Sequence, residues 1–223
     1  MSGLGRPAVE VLLGNGGDAA VGIEGDFALL LGGAGAISTR VWACESTAVV
    51  LGASRAVAIE VDCDECERLG VAVLRRASGG GTVMIGPGTV QYALVFPHSA
   101  TAAPSLDAVK EFSSRLVGQA LMEAGLDSPI ESDPSGDLRL GSRKVAGVAL
   151  RRRRDATLLH GTMLVGADLA RIARVLHHPE LEPAWRGGRS HLDFLDNLGL
   201  LDVAAFEQAL ARGVAQSGAP RSL

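Results

Sequence analysis

The chain has 223 residues, 47% hydrophobic and 21% charged, with a formal net charge of −4. That is enough apolar material to bury a core, and it excludes the disordered and fibrous classes. A mildly acidic chain lacks the basic face a general nucleic-acid binder needs; its longest uncharged apolar run, Phe27 to Ile37, spans eleven residues, whereas a membrane span needs about 20.

Taken in chain order, Asp18–Leu31 has apolar residues at helical spacing, with Gly22 and Gly25 inside it, and is expected to be a helix. Ser38–Cys44 and Thr47–Leu51 read as short strands. A helix over Val57–Leu69 leads into a strand at Val71–Arg75. Beyond a glycine-rich corner, Thr82–Ile85 and Val90–Phe96 read as a hairpin around Gly86-Pro87-Gly88. Ser105–Ala124 is the clearest helix: Ser105 suits an N-cap, and Leu106, Val109, Phe112, Leu116, Ala120 and Ala124 recur every three or four residues. Strands are expected at Leu138–Leu140, Lys144–Leu150 and Leu158–Val165, then helices at Asp168–Leu176 and Asp202–Val214. Strands come in groups rather than in strict alternation with helices. That predicts an α+β fold, a mixed sheet flanked by helices, in a single domain over residues 1–223. No basic segment leads an apolar stretch at the start, so the expected location is cytoplasmic.

Three segments could carry chemistry. The first is Arg75-Arg76-Ala77-Ser78-Gly79-Gly80-Gly81-Thr82, directly after a strand. Consecutive glycines let the backbone approach a ligand and aim N–H groups at an anion, while arginine offers a planar fork for phosphate or carboxylate. A bare glycine run also marks a simple turn; the flanking arginines and the strand before it favour an anion site. No Gly-Lys-Ser/Thr follows, so it is not a P-loop, and Gly33-Ala34-Gly35 fails the Rossmann fingerprint because Ser38 stands where the third glycine belongs. The second segment runs from Asp137 to Gly147 and holds Lys144, one of only two lysines beside 19 arginines. A compact ammonium can reach between a carboxylate and a phosphate. The third is His160-Gly161-Thr162 inside an apolar strand, where the histidine is either a satisfied core residue or part of a site.

Other features read as structural. Cys63 and Cys66 have C-x-x-C spacing but no second pair, so no metal site is expected. Arg151–Arg154 reads as a solvated loop, with an acidic-partner surface as the alternative. His177-His178 close a helix.

In this order and spacing the three segments resemble the lipoate–protein ligase family of the biotin/lipoate ligase superfamily. Arg75 through Val83 match its R-R-x-S-G-G-G-[A/T]-V corner. Asp137-Leu138 and Ser142-Arg143-Lys144-Val145-Ala146-Gly147 match its D-L…G-R-K-[I/V]-x-G stretch, with serine for glycine. His160-Gly161-Thr162-Met163-Leu164 match its H-G-T-L-L stretch, and the likeness runs from about Asp18 to Leu200. The resemblance implies a catalytic domain that joins lipoate or octanoate to ATP, with Mg2+, as an acyl-adenylate. The acyl group then passes to a lysine of a lipoyl domain, as in the acyltransferase subunit of a 2-oxoacid dehydrogenase complex or a glycine-cleavage H protein.

By motif match, Lys144 is the expected catalytic residue. Arg76, Ser78, Gly79, Gly80, Gly81 and Thr82 would hold the adenylate; Asp137 would meet adenine or metal; Gly147, His160, Gly161 and Thr162 would line the pocket. Three departures stand out. Ile85 replaces the family's histidine, Gly136 replaces an asparagine, and the sequence has no room for the C-terminal accessory domain. The last implies a separate accessory subunit or only part of the reaction. Octanoyltransferases of the same fold, which use a cysteine and no ATP, are the alternative, with a non-catalytic acyl- or nucleotide-binding member behind them.

Overall fold

The computed structural model describes residues 7–32, 35–98 and 103–217; Gly33 and Ala34 of the failed fingerprint lie outside them. Its strands form two sheets rather than one. The smaller contains β1 (Val9–Leu13), β3 (Ala48–Leu51), β4 (Ala72–Arg76) and β5 (Val83–Ile85) in the order β1-β4-β3-β5. Only β3 and β4 run parallel, which makes this sheet the mixed one. The larger is antiparallel, ordered β2 (Ser38–Trp42), β6 (Thr89–Pro97), β10 (Ala156–Leu164), β9 (Arg143–Arg152), β8 (Leu138–Leu140) and β7 (Glu131–Ser132). Helices α1 (Gly17–Leu31), α2 (Val57–Glu60), α3 (Cys63–Arg68), α4 (Leu106–Glu123), α5 (Leu169–Val175), α6 (His191–Phe194) and α7 (Val203–Gln216) flank them. The class is α+β, as the grouping of strands implies.

The central strands are buried on both faces, and their alternation divides the core. On β6, Tyr92, Leu94 and Phe96 face α4 and α7 with Leu116, Phe206 and Leu210. Ala93 and Val95 face the other way, toward α1 and the small sheet with Phe27, Val50 and Leu74. A third cluster packs Val49, Val73 and Met84 of the small sheet against Ile172 and Val175 of α5. Double-sided burial explains why β6 and β10 read as continuous apolar runs.

Helix caps follow the sequence closely. Ser105, Asp168 and Asp202 each accept the N–H three residues on, at 3.1, 2.8 and 2.9 Å. Two expectations need correction. Val57–Leu69 is not one helix: Asp62 caps α3 by accepting Glu65 N–H at 2.9 Å, and Val61 bridges to Leu176, which breaks the run. Nor do β5 and β6 form a hairpin. They lie in different sheets, and Gly86-Pro87-Gly88 carries the chain across. Gly88 sits at φ 81°, where its oxygen accepts the N–H groups of Val165 and Gly166, both at 2.9 Å, and a Cβ would lie 2.3 Å from Gly166 O. The turn chemistry is that of a hairpin; its contacts are those of a corner.

Candidate active site

The glycine corner between β4 and β5 is built around Arg76, which turns inward. Arg76 is buried, and its Nε donates to Ser78 Oγ at 2.9 Å, its Nη1 to Val50 O at 3.0 Å, and its Nη2 to Gly79 O and Gly81 O, both at 2.8 Å. Four of the roughly five N–H groups of a guanidinium are thereby spent on the protein. Burial pulls its pKa down to about 10, which leaves it charged at neutral pH. Arg76 therefore shapes the corner rather than reaching out as a free fork. The remaining backbone is drawn tight: a Cβ on Gly52 would lie 2.3 Å from Gly80 O, and Gly80 has φ 95°. Among the described residues the N–H groups of Gly80 and Gly81 have no acceptor.

Ser78 passes this order on to His160 of β10, whose Nε2 lies 2.7 Å from Ser78 Oγ. His160 Nδ1 lies 3.1 Å from Asp26 Oδ2, and Asp26 Oδ1 accepts from Arg40 Nη1 and Trp42 Nε1, both at 2.9 Å. The carboxylate of Asp26 only accepts, so His160 Nδ1–H donates to it, and Arg76 Nε donates to Ser78 Oγ. With the Nδ1–H tautomer of the imidazole, the Ser78 hydroxyl proton goes to His160 Nε2. The connectivity is that of an acyl-transfer triad, yet Ser78 is 0% exposed, lines neither cavity below, and already accepts from an arginine. It is a clamp, not a nucleophile. Asp26 and Trp42 escape motif reading. The legible trace is a carboxylate on the buried stripe of α1, between Ile23 and Phe27.

Lys144 is the second residue of β9 and donates to Asp137 at 2.7 Å, the carboxylate being nearly buried. Gly147 makes the contact possible, since a Cβ there would lie 2.8 Å from Lys144 Nζ and 3.4 Å from Asp137 Oδ1. Gly161 serves Tyr92 in the same way: a Cβ would come 2.3 Å from the Tyr92 ring. Gly136 has φ 90°, and a Cβ on it would lie 2.7 Å from Val148 Cγ2, so an asparagine there would be strained.

These groups meet where two cavities adjoin. One, about 170 Å3, is mostly apolar, walled by Ile23, Trp42, Val50, Ile85, Ala149 and Leu164, with Arg76, His160 and Thr162 at its polar edge. Ile85, in the histidine's place, is buried and simply extends this apolar wall. The other, about 290 Å3, is the more polar of the two, lined by Arg55, Glu60, Gly80, Asp137 and His177 beside apolar Leu176, Leu181 and Phe194. Gly81, Thr82, Lys144 and Arg186 line both. The structure thus brings together the glycine corner, Asp137, Lys144, Gly147, His160, Gly161 and Thr162, and adds Arg55 and Arg186.

Other expected features fall elsewhere. Cys44 is 4% exposed, and burial, with the charges of Asp18 and Glu45, pushes its thiol up to about 12. Cys66 is likewise raised to about 11 and Cys63 is raised, both chiefly by burial. None lines either cavity. Half of the four-arginine run belongs to β9, not to a loop: Arg151 donates to Ala77 O at 3.1 Å and Arg152 to Pro104 O. Among the described residues no three His, Cys, Asp or Glu side chains cluster to hold a metal ion unaided. A magnesium ion bound through phosphates and one carboxylate would need only Asp137.

Residues 32–215 match the lipoyl protein ligase A/B catalytic domain. The chain is similar to the lipoate-protein ligase A of Psychrobacter cryohalolentis, with 29% identity over 135 residues, 60% of this chain and 37% of that protein. It spans about half the length or less of the curated relatives it matches. Among solved structures, the bi-partite lipoate protein ligase of Thermoplasma acidophilum, described with its E2 lipoyl domain, superposes with a TM-score of 0.71. The two are 25% identical, covering 92% of this chain and 81% of that one. A lipoate-protein ligase A bound with ATP gives a TM-score of 0.66 at 26% identity, covering 86% and 77%. With this match over most of its length and the family's three motifs gathered around one pair of cavities, the chain belongs to the lipoyl protein ligase A/B catalytic-domain family.

Proposed function

We propose that the protein is a lipoate–protein ligase: it activates lipoate or octanoate with ATP and Mg2+, then transfers the acyl group to a lysine of a lipoyl domain. The observation that carries this reading is the placement of Lys144 at the junction of a mostly apolar cavity and a more polar one lined by charged side chains. An acyl chain suits the first and a nucleotide the second, so the carboxylate and the α-phosphate would meet at the ammonium. The carboxylate oxygen attacks the α-phosphorus, the bond to the β-phosphate breaks, and pyrophosphate leaves with its electron pair. An acceptor amine then attacks the acyl carbon; the amide forms and AMP departs. Negative charge gathers on the phosphate oxygens in the first step and on the acyl oxygen in the second. Lys144, oriented by Asp137, and the N–H groups of the glycine corner supply positive potential to both.

A lipoyl domain of a 2-oxoacid dehydrogenase acyltransferase or a glycine-cleavage H-type protein is the proposed acceptor. A separate accessory subunit, in keeping with the bi-partite relative, and a cytoplasmic location belong to the same reading. Raised thiol pKa values away from the cavities weigh against a cysteine-dependent transferase. Pyrophosphate release from ATP and magnesium, with octanoate or lipoate and no acceptor, tests the proposal. Release that depends on the acid is expected. No release, together with ATP-independent labelling of a lipoyl domain from octanoyl-carrier protein, would overturn it in favour of the transferase.

A further inference from the structure

The segment from Pro183 to Leu195 folds back over the site and is tied to the start of β9. Arg143 Nη1 donates to Leu192 O at 2.8 Å, Arg189 Nη1 to Ser142 O at 2.6 Å, and Asp196 N–H to Lys144 O at 2.9 Å. Within it Arg186 is 5% exposed. Its Nε is used, donating to Arg189 O at 3.0 Å and lying 3.3 Å from Glu182 Oε2, and its guanidinium carbon lies 4.8 Å from the centre of the Phe194 ring. Its terminal nitrogens are not used. Nη2 is buried with no partner, and no acceptor among the described residues meets Nη1. A buried donor left unmade is costly, and this one belongs to a residue that lines both cavities.

A second orphan shares that wall: Thr82 Oγ1, at the end of the glycine corner, is also buried and unpartnered. The charges of the polar cavity say what is missing. Arg55 is paired with Glu60, Lys144 with Asp137 and Arg186 with Glu182 through its Nε, but the terminal nitrogens of Arg186 have no anion of their own. A planar fork with two free nitrogens matches two oxygens of one phosphate.

We propose that Arg186 is a binding residue for the phosphate chain of the nucleoside triphosphate, its terminal nitrogens taking phosphate oxygens in the polar cavity that Lys144 and the glycine corner also line. The inference rests on the adenylation reading and deepens it: the segment carrying α6 is then part of the nucleotide site, not a cover over the acyl site.

Binding of a non-hydrolysable ATP analogue with magnesium, of inorganic tripolyphosphate, and of octanoate, each measured calorimetrically, tests it. Arg186→Gln should weaken analogue and tripolyphosphate by about ten- to a hundredfold and leave octanoate within about twofold; Arg186→Lys should fall between. Arg212→Gln, which removes an exposed cation of α7 paired with Glu123, should change nothing. Unchanged analogue binding by Arg186→Gln overturns the proposal while adenylation stands. So does an equal loss for analogue and octanoate, which marks a structural prop. No analogue binding by the wild-type protein overturns both readings together. Should Arg186→Gln fail to fold, hydrogen exchange in the wild type decides: amides of Gly187–Phe194 should slow when the analogue binds, and unaltered exchange overturns the proposal.

Discussion

On the wall made by α1, β4 and β10, each polar side chain from Arg40 to Arg76 has a partner and an assigned direction before any ligand arrives. On the opposite side, the segment carrying α6 presents Arg186 with both terminal nitrogens unused, beside Trp185, whose indole N–H is buried and also unpartnered. The first wall is preorganised: its cost of ordering was met when the chain folded, so it can hold a glycine corner in place for a reaction. The second is under-satisfied, with Glu182 Oε2, Trp185 Nε1 and Arg186 Nη2 all buried without a hydrogen-bond partner, and the proposed phosphate ligand would complete the share of Arg186. Side by side, they separate residues that shape a site from residues that recognise a ligand, although all of them line or brace the same cavities.

Lys144 stands between the two walls, and changing it should have the largest effect. Lys144→Arg keeps the charge but replaces a compact ammonium by a broad fork, over a Gly147 that leaves no spare room. Acid-dependent pyrophosphate release should fall by about a hundredfold or more, equivalent to roughly 3 kcal/mol of transition-state stabilisation, with little change in melting temperature. Full activity would remove Lys144 from the reaction. Asp26→Ala probes the preorganised wall and should behave differently. It strips one acceptor from Arg40, Trp42 and His160 together, and losing a buried charged partner costs about 3 kcal/mol. Arg40 is part-exposed, which lowers its share of that figure. Thermal unfolding should shift down by several degrees while analogue binding at the other wall is retained. If instead stability held and analogue binding vanished, the division between the walls would be wrong.

How far the sequence can be read follows the same division. The corner, Lys144, Asp137 and His160 are legible because each belongs to a short collinear motif, and caps such as Asp168 are legible because their bonds are local. The role of Arg76 is not: a motif names an arginine but cannot say that Val50 O and Gly79 O, from a neighbouring strand and its own turn, take its donors. The expected hairpin fails for a similar reason. Gly86-Pro87-Gly88 satisfies the local rules of a turn, while the choice of sheet is made by Val165 and Gly166, far along the chain. Arg186 has no local signal among 19 arginines; a buried terminal nitrogen without a partner, on a residue that lines both cavities, distinguishes it. Asp26 has one, a charge on an apolar stripe, but a single helical position carries little weight without its partners in space.

The smallest effect is expected from Cys44→Ala, yet it bears on where the acyl group is activated. With its thiol pushed up to about 12 by burial and the nearby carboxylates, Cys44 stays protonated at pH 8, which is unsuited to a nucleophile. Its alkylation at that pH should be much slower than that of a free thiol. Replacing a small buried sulfur should cost about 1 kcal/mol of stability and leave acyl transfer to a lipoyl domain within about twofold. Loss of transfer in a folded Cys44→Ala protein would mean that a thioester carries the acyl group. The reactive centre would then lie outside both cavities, and the unsatisfied wall would need another ligand. If transfer survives, no residue of the braced wall forms the acyl bond, because Ser78 is sealed and already bonded to Arg76 and His160. The leaving group that makes amide formation favourable must then be one the protein binds, and the side of the site still short of hydrogen bonds is the side that would hold it.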